Sequence, residues 1–151
     1  METVIRQGNV KDIPIYIELQ RNDGFPHQYY LTQERLKLLF DRGELFFLAT
    51  LEGTPVGFSS VDCEIRAQAH FLCVDKNYTR RGIGSLLMKT LMDEAIKQGY
   101  TRLCSYVEAN STKEIFLQKY GFIQVGYYKN KYGNGQDATI WEVDLSLTRN
   151  K

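Results

Sequence analysis

Hydrophobic residues follow two different spacings along the chain, and the changes between these spacings predict strands and helices in turn. Residues 44–51 and 55–66 are rich in Phe, Leu, Val and Ile and flank Gly53, a combination typical of a β-hairpin. Two more strands are expected over residues 69–74 and 101–108, with a complete helix between them. Since parallel strands need a crossover of this kind, the pattern predicts one parallel pair near the middle of a sheet.

Apolar residues at helical spacing, together with residues that begin or end helices, predict four helices. The predicted helices begin at Asn9, Thr32, Gly82 and Ser111. The second, third and fourth are expected to end at Gly43, Gly99 and Gly121, because glycine readily takes the left-handed conformation that follows a helix. The third helix should bury one broad apolar face formed by Ile83, Leu86, Leu87, Leu91, Ala95 and Ile96. In the fourth, Ser111 and Glu114 have the spacing of a capping box.

The C-terminal part of the chain is predicted to form two long strands. Residues 122–132 and 138–147 are joined by a turn that contains Gly133 and Gly135. Together with a short strand over residues 4–7, these elements predict an α/β (α+β) fold with a mixed, mostly antiparallel central sheet and helices on both faces. A chain of 151 residues has the length of one domain, so we expect a single domain over residues 1–151.

Composition and charge exclude several classes of protein. Lys and Arg number 19 against 18 Asp and Glu, and this balance argues against general binding to nucleic acid or anionic membranes. Cys63, Cys73 and Cys104 lie far apart without a C-x-x-C pattern, so we expect reduced, buried cysteines and neither a disulfide framework nor a metal site. The first residues are too polar for a signal peptide and no apolar run reaches the length of a membrane span, which favours a cytoplasmic protein.

A glycine-containing turn between a predicted strand and the third helix carries the strongest chemical signal. The first N–H groups of a helix have no partner within the helix, and the helix dipole adds partial positive charge there. Gly82 and Gly84 have no Cβ to obstruct an approaching anion, and Arg80 and Arg81 add positive charge at the same place. The sequence therefore predicts a phosphate-binding site at this turn.

The pattern Thr79-x-x-Gly82-x-Gly84 resembles the Q/R-x-x-G-x-G/A signature of the GNAT (Gcn5-related) acetyltransferases. The resemblance extends over essentially the whole chain. It includes Val74 and Asp75 before the turn, Asn110 after the next strand, Tyr120, Gly121 and Phe122 at the end of the fourth helix, and residues 135–138 before the last strand. One glycine pair alone is a weak signal, whereas the ordered set is specific.

The resemblance implies an N-acetyltransferase that uses acetyl-CoA and no metal. In this family the pantetheine arm lies between two parallel strands that splay apart, here the strands containing Leu72, Cys73 and Val74 and containing Ser105 to Val107. The resemblance implies a coenzyme site formed by Leu72, Cys73, Val74, Thr79, Arg80, Arg81, Gly82, Ile83, Gly84, Ser85 and Asn110.

Two positions depart from the family pattern. Thr79 stands where Gln or Arg is usual, which removes a long polar side chain but leaves the glycines. Leu117 stands where the family usually has a tyrosine that protonates the departing thiolate. Tyr120, one helical turn further on, and Tyr106 on the neighbouring strand are candidate replacements. A tyrosine at such a position is more often a packed aromatic residue than a catalytic one.

The candidate bases are His70 and Glu108, acting directly or through water. Gln68 and His70 alternate onto one face of the strand that leads to Val74, where many members of the family have a carboxylate. Histidine as a residue type changes charge between pH 5 and 8. A histidine that is only hydrogen-bonded within the sheet is an equally good interpretation of the pattern.

The resemblance places the amine acceptor between the loop after the first helix and the last hairpin. The candidate acceptor-binding residues are Phe25, His27, Tyr29, Tyr30, Tyr106 and Tyr128. Such aromatic residues can hold an aliphatic amine, a cation or a peptide. Glu64 and Glu108 would favour a cationic acceptor if they face the cleft. The acceptor is expected to be a small molecule or a peptide.

Other functions remain open at this point. A non-catalytic acyl-CoA sensor of the same fold is the main alternative, which Thr79 and Leu117 favour. Nucleic-acid binding through the aromatic and basic residues 127–132 is disfavoured by the balanced charge. A nucleotide P-loop and a dinucleotide fingerprint both lack their required residues. A homodimer is possible because small enzymes often form one.

Overall fold

A computed structural model describes residues 2–23 and 30–147. Within them the chain forms one seven-stranded sheet of order β1-β2-β3-β4-β5-β7-β6. The strands are β1 (Thr3–Gln7), β2 (Leu45–Leu51), β3 (Thr54–Asp62), β4 (Gln68–Val74), β5 (Arg102–Glu108), β6 (Ile123–Tyr128) and β7 (Ala138–Asp144). The helices are α1 (Ile13–Arg21), α2 (Gln33–Asp41), α3 (Ile83–Lys97) and α4 (Thr112–Lys119).

The sheet is antiparallel except for β4 and β5, and this parallel pair opens along its length. Backbone pairing is confined to Gln68 with Cys104 and Ala69 with Ser105. Beyond Ala69, β4 stays paired with β3 while its other edge separates from β5. The α3 crossover between the two strands requires their parallel direction, as the sequence predicts. The splayed pair therefore leaves a gap in the middle of the sheet.

Helices cover both faces of the sheet, which confirms the predicted fold class. Successive residues of a strand point to opposite faces, and in β2 Phe47 packs in the core under α3 whereas Phe46 packs against α1. Leu87 and Leu91 of α3 are fully buried in the cores on the first face. On the second face, Tyr16 of α1 stacks against Phe46 with ring centroids 5.3 Å apart.

The capping box predicted at Ser111 and Glu114 is wrong. The Glu114 carboxylate instead accepts from the Asn110 N–H at 2.9 Å and from the Thr139 hydroxyl at 2.6 Å. The Ser111 hydroxyl donates to the Glu108 carbonyl at 2.6 Å. Asn110 adopts a positive φ of 63°, which turns its N–H toward the helix. Glu114 thus accepts from the N–H of Asn110, one residue before the Ser111 N–H that a capping box would use.

The last two strands are shorter than predicted. β6 ends at Tyr128 instead of residue 132, whereas β7 begins at Ala138 as predicted and ends at Asp144 instead of residue 147. Between them the Asn130 N–H donates to Asp137 at 2.8 Å, and the Gly135 N–H donates to the Asn130 side chain at 2.8 Å. These side-chain hydrogen bonds replace a strand ladder and form a wide loop, which we call the β6–β7 loop (residues 129–137).

The expected apolar face of α3 needs one correction. Leu86 is 41% exposed, whereas Met88 and Met92 are buried. The buried face of α3 is therefore rotated away from Leu86 and toward Met88 and Met92. Among the described residues, no helix is both long and apolar enough to cross a lipid bilayer.

Candidate active site

A cavity of about 1010 Å³ occupies the gap between β4 and β5. Leu72, which packs on the α3 face of the sheet, and Phe71, which packs on the α1 and α2 face, both line it. The cavity therefore passes through the sheet. After the roles that the sequence predicts for them, we call its α3 side the phosphate-turn side and its α2 side the acceptor side.

The phosphate-turn side ends at residues 79–85, which we call the phosphate turn. Gly82 precedes α3 with a φ of +80°, and Arg80 also has a positive φ, of 64°. The first helical hydrogen bond runs from the Leu86 N–H to the Gly82 carbonyl at 3.1 Å, so the N–H groups of residues 83–85 have no partner within α3. A left-handed residue before unpaired helical N–H groups forms a concave site for an anion.

Most of the predicted coenzyme residues lie around this turn. Thr79, Arg80, Gly82, Ile83, Gly84 and Ser85 line the cavity. Gly84 faces the ring of Phe116, which a Cβ at this position would approach to 3.5 Å. Arg81 does not line the cavity, and its guanidinium lies over the Tyr78 ring at 5.3 Å from the centroid. Asn110 also lies outside the lining.

The strand edge predicted to hold the pantetheine arm faces the same cavity. Leu72 and Val74 line it, whereas the Cys73 side chain points to the other face and is 1% exposed in the core beneath α1. Burial raises the pKa of the Cys73 thiol well above its ordinary value. Only the main chain of Cys73 is thus available to a ligand in the gap.

His70 lies on the cavity wall beside a buried carboxylate. Its Nδ1 is 2.8 Å from Oε1 of Glu44, whose side chain is 3% exposed. The second oxygen of Glu44 is buried and has no hydrogen-bond partner among the described residues. The extra residue of a β-bulge in β4, opposite Ser60 and Val61, is His70. The bulge explains how its ring leaves the regular alternation and reaches Glu44 beside the end of α2.

Glu108, the other candidate base, also lines the cavity. The Lys113 ammonium donates to both of its oxygens, at 2.9 and 3.3 Å. The two side chains are each about one-fifth exposed. The carboxylate is therefore held by a counter-ion from the start of α4.

A cluster of tyrosines encloses one lysine on the acceptor side. The Lys131 ammonium lies 5.2 Å from the ring centroid of Tyr106, 5.3 Å from that of Tyr128 and 5.5 Å from that of Tyr132. Arg66 donates to the Tyr106 hydroxyl at 3.1 Å. Cation–π contacts of this kind orient the β6–β7 loop over β5.

Comparison with known proteins identifies the family. A model of the acetyltransferase (GNAT) domain matches residues 42–124, which include the parallel strand pair and the phosphate turn. The chain belongs to the GNAT acetyltransferase family. The predicted N-acetyltransferase class and the predicted fold are thereby confirmed.

Individual relatives extend the similarity to nearly the full length. An N-alpha-acetyltransferase from Sulfurisphaera tokodaii is 27% identical, over 93% of this chain and 92% of the relative. The crystal structure of Ard1 from Thermoplasma volcanium is 26% identical with a TM-score of 0.84, covering 95% of this chain and 98% of that one. The PaiA N-acetyltransferase from Thermoplasma acidophilum, solved in complex with coenzyme A, is 22% identical with a TM-score of 0.77. The similarity covers 95% of this chain and 99% of that one.

The departure from the family pattern at Leu117 is visible in the structure. Leu117 is 2% exposed and lines the cavity. Tyr120 does not line it, and its hydroxyl donates to the Ser85 hydroxyl in the phosphate turn. The role of Tyr120 as a proton donor stays a prediction.

The predicted acceptor residues are only partly brought together. Tyr30 and Tyr106 line the cavity, whereas Tyr128 contacts it only through Lys131. Phe25, His27 and Tyr29 lie outside the described residues. Glu64 does not line the cavity, so among the predicted acidic residues only Glu108 faces it. No three His, Cys, Asp or Glu side chains within residues 2–23 and 30–147 are grouped closely enough to hold a metal ion.

The pattern of residues did not reveal Glu44 or Lys131 as parts of the site. Glu44 precedes an apolar strand, which is an ordinary place for an exposed charge, and Lys131 stands in a polar loop. The one signal at Glu44 was its position directly after the glycine that ends α2, where the chain turns back toward the sheet.

Proposed function

We propose that this protein transfers the acetyl group of acetyl-CoA directly to a primary amine of a small molecule or peptide, in a single domain. One observation carries the proposal: the phosphate turn and the open edge of β4 line the same cavity, which continues through the sheet to the acceptor side. A donor and an acceptor that enter from opposite faces would meet in the gap. The coenzyme A bound to the PaiA relative supports the identity of the donor.

The residues of the phosphate turn fit the pyrophosphate of the donor substrate. The unpaired N–H groups of residues 83–85 donate to its oxygens, and Lys76, Arg80 and Lys119 supply positive charge along the same side of the cavity. The pantetheine amides would pair with the free edge of β4 at Leu72 to Val74, because β5 has separated from it. Backbone N–H groups near Val74 are the donors that we propose for the developing oxyanion.

His70 is the base in this proposal. When the ring is neutral with hydrogen on Nδ1, it donates to Glu44 and leaves Nε2 free to take a proton from the acceptor amine. Glu44 fixes this tautomer and is a positioning residue. Glu108 is less suited, since Lys113 already donates to both of its oxygens.

The thiolate of coenzyme A leaves without a side-chain acid in this proposal. A thiol of pKa about 8.5 is a tolerable leaving group at neutral pH and takes its proton from water. The hydroxyl of Tyr120 instead holds Ser85, so this residue stabilises the phosphate turn. The three cysteines form no disulfide among the described residues, which supports a reducing compartment, and we propose that the reaction takes place in the cytoplasm.

The Tyr120→Phe variant tests whether Tyr120 stabilises the phosphate turn or protonates the leaving thiolate. We expect weaker binding of coenzyme A, by about 3- to 10-fold for one lost hydrogen bond, with kcat nearly unchanged. Calorimetry gives the Kd and steady-state kinetics give kcat. Tyr127→Phe is the matched control, because the Tyr127 hydroxyl also donates to a neighbouring side chain, Asp137, outside the cavity. A large fall in kcat with unchanged affinity would assign Tyr120 the acid role instead.

The function itself is tested by binding and turnover on the same protein. Calorimetry with acetyl-CoA and coenzyme A measures the donor site, and a panel of amines assayed by thiol release and mass spectrometry measures transfer. Peptide α-amines come first, because a pKa of about 7.7–8.0 leaves them partly neutral at pH 7 and one relative is an N-alpha-acetyltransferase. Tight donor binding without acetylation of any amine would indicate the sensor function instead.

A further inference from the structure

The charges that line the cavity are strongly unequal. Six cationic side chains line it, those of Arg35, Lys76, Arg80, Lys113, Lys119 and Lys131. The one lining carboxylate within the described residues is Glu108, which Lys113 neutralises. Residue 1, residues 24–29 and residues 148–151 include no Asp or Glu, so none of these segments can add a carboxylate side chain to the site.

The donor substrate accounts for only part of this positive charge. Lys76 and Arg80 belong to the phosphate-turn side, and Lys119 lies next to Tyr120, which contacts Ser85 of the turn. Arg35 extends from α2 and Lys131 from the β6–β7 loop, both on the acceptor side. Neither has a carboxylate within 4.0 Å among the described residues, so two positive charges on this side of the cavity are not neutralised by an acidic side chain.

The tyrosine cluster is not open to a cationic acceptor. The faces of Tyr106, Tyr128 and Tyr132 already surround the ammonium of Lys131, and Arg66 adds a second cation beside Tyr106. An acceptor with a second ammonium group would meet like charges there, and like charges close together are unfavourable. This arrangement would disfavour polyamines and lysine-rich peptides as acceptors.

We propose that the acceptor carries a carboxylate close to the amine that is acetylated. Arg35 and Lys131 would bind this carboxylate, while the same cations favour the neutral, nucleophilic form of the amine. A free amino acid and a peptide with an acidic residue next to its N-terminus share this chemistry. The inference rests on the proposed acetyl transfer and names the acceptor class for it.

Paired acceptors with and without the carboxylate test this inference, with kcat/KM expressed per neutral amine because a nearby carboxylate also raises the pKa of the amine. Alanine is compared with alaninamide, and an amidated Ala-Glu-Ala-Ala peptide with its Ala-Gln-Ala-Ala counterpart, at low and high ionic strength. We expect kcat/KM to be about tenfold higher for the carboxylate member of at least one pair. This is the factor that one charge-assisted hydrogen bond contributes. The preference should shrink with added salt. A preference within the first pair would identify a free amino acid as the acceptor, and a preference within the second pair would identify an acidic peptide.

Charge-removing variants link the preference to the two cations. The double variant Arg35→Gln and Lys131→Gln should lose the preference for the carboxylate member within each pair. The matched control is Lys37→Gln with Lys129→Gln, two exposed lysines on the same elements that do not line the cavity. Equal rates within both pairs, or a preference unchanged in the double variant, would overturn the inference while acetyl transfer stands. Failure to acetylate any amine despite donor binding would overturn the proposed function as well.

Discussion

The His70→Gln variant is expected to lower kcat by about 10²- to 10⁴-fold, the range that a positioned general base contributes. The amide keeps the approximate size of the ring and can still donate to Glu44, but it cannot take a proton from the amine. The Kd for acetyl-CoA should be unchanged, because His70 lies on the acceptor side of the cavity. The pH dependence of kcat/KM is the decisive measurement: its rising limb, which reports deprotonation of the base, should disappear.

The buried partner of His70 provides an independent control for this assignment. Glu44→Gln removes the charge but keeps an oxygen that can accept from Nδ1, so we expect a loss of about 10- to 100-fold. In the His70→Gln background the same change should have almost no further effect, since residues that act as a unit are not additive. Glu108→Gln should cost only a few-fold. An unchanged pH profile in His70→Gln together with a lost rising limb in Glu108→Gln would reverse the assignment.

The Gly82→Ala variant is expected to weaken acetyl-CoA binding by at least about tenfold. Gly82 has a φ of +80°, and a residue with a Cβ loses about 1–2 kcal/mol in this left-handed conformation. Relief of that strain turns the N–H groups of residues 83–85 away from a common anion. A Cβ at this position meets no atom within 4 Å, so packing contributes nothing to the effect.

Gly99→Ala is the matched control for Gly82→Ala. Gly99 follows the other end of α3 with a φ of +91°, and a Cβ there also meets nothing within 4 Å. Both variants should lose a similar free energy of unfolding in urea, about 1–2 kcal/mol, but only Gly82→Ala should lose affinity in calorimetry. Equal affinity for the coenzyme in the two variants would show that the phosphate turn does not bind it.

Local signals in the chain were sufficient for much of the fold. A glycine with positive φ follows α2, α3 and α4, as the sequence predicted, and Thr32 caps α2 by accepting from the Arg35 N–H at 3.2 Å. The hairpin at Gly53 and the parallel strands on either side of α3 also occur as predicted. These features depend on backbone conformation over a few residues, so the pattern of residues determines them.

Predictions failed where distant groups compete for the same hydrogen bonds. Glu114 was expected to cap its own helix at Ser111, but Thr139 of β7 takes one of its oxygens. Strand β6 was expected to continue to residue 132, but the Asn130 N–H donates to Asp137 instead of joining the ladder. The spacing of residues does not show which long-range acceptor wins such a competition.

The sequence by itself determined the mixed sheet, the family resemblance and the phosphate turn, because glycines, helix ends and hydrophobic periods act over short distances along the chain. Only the tertiary structure decided which charges are paired. Glu44 meets His70 across 26 residues, and Lys131 meets Tyr106 across one helix and one strand. These contacts depend on the strand order, on a β-bulge and on the opening between β4 and β5. Together these features determine which charged side chains line the cavity, and a local sequence pattern does not contain that information.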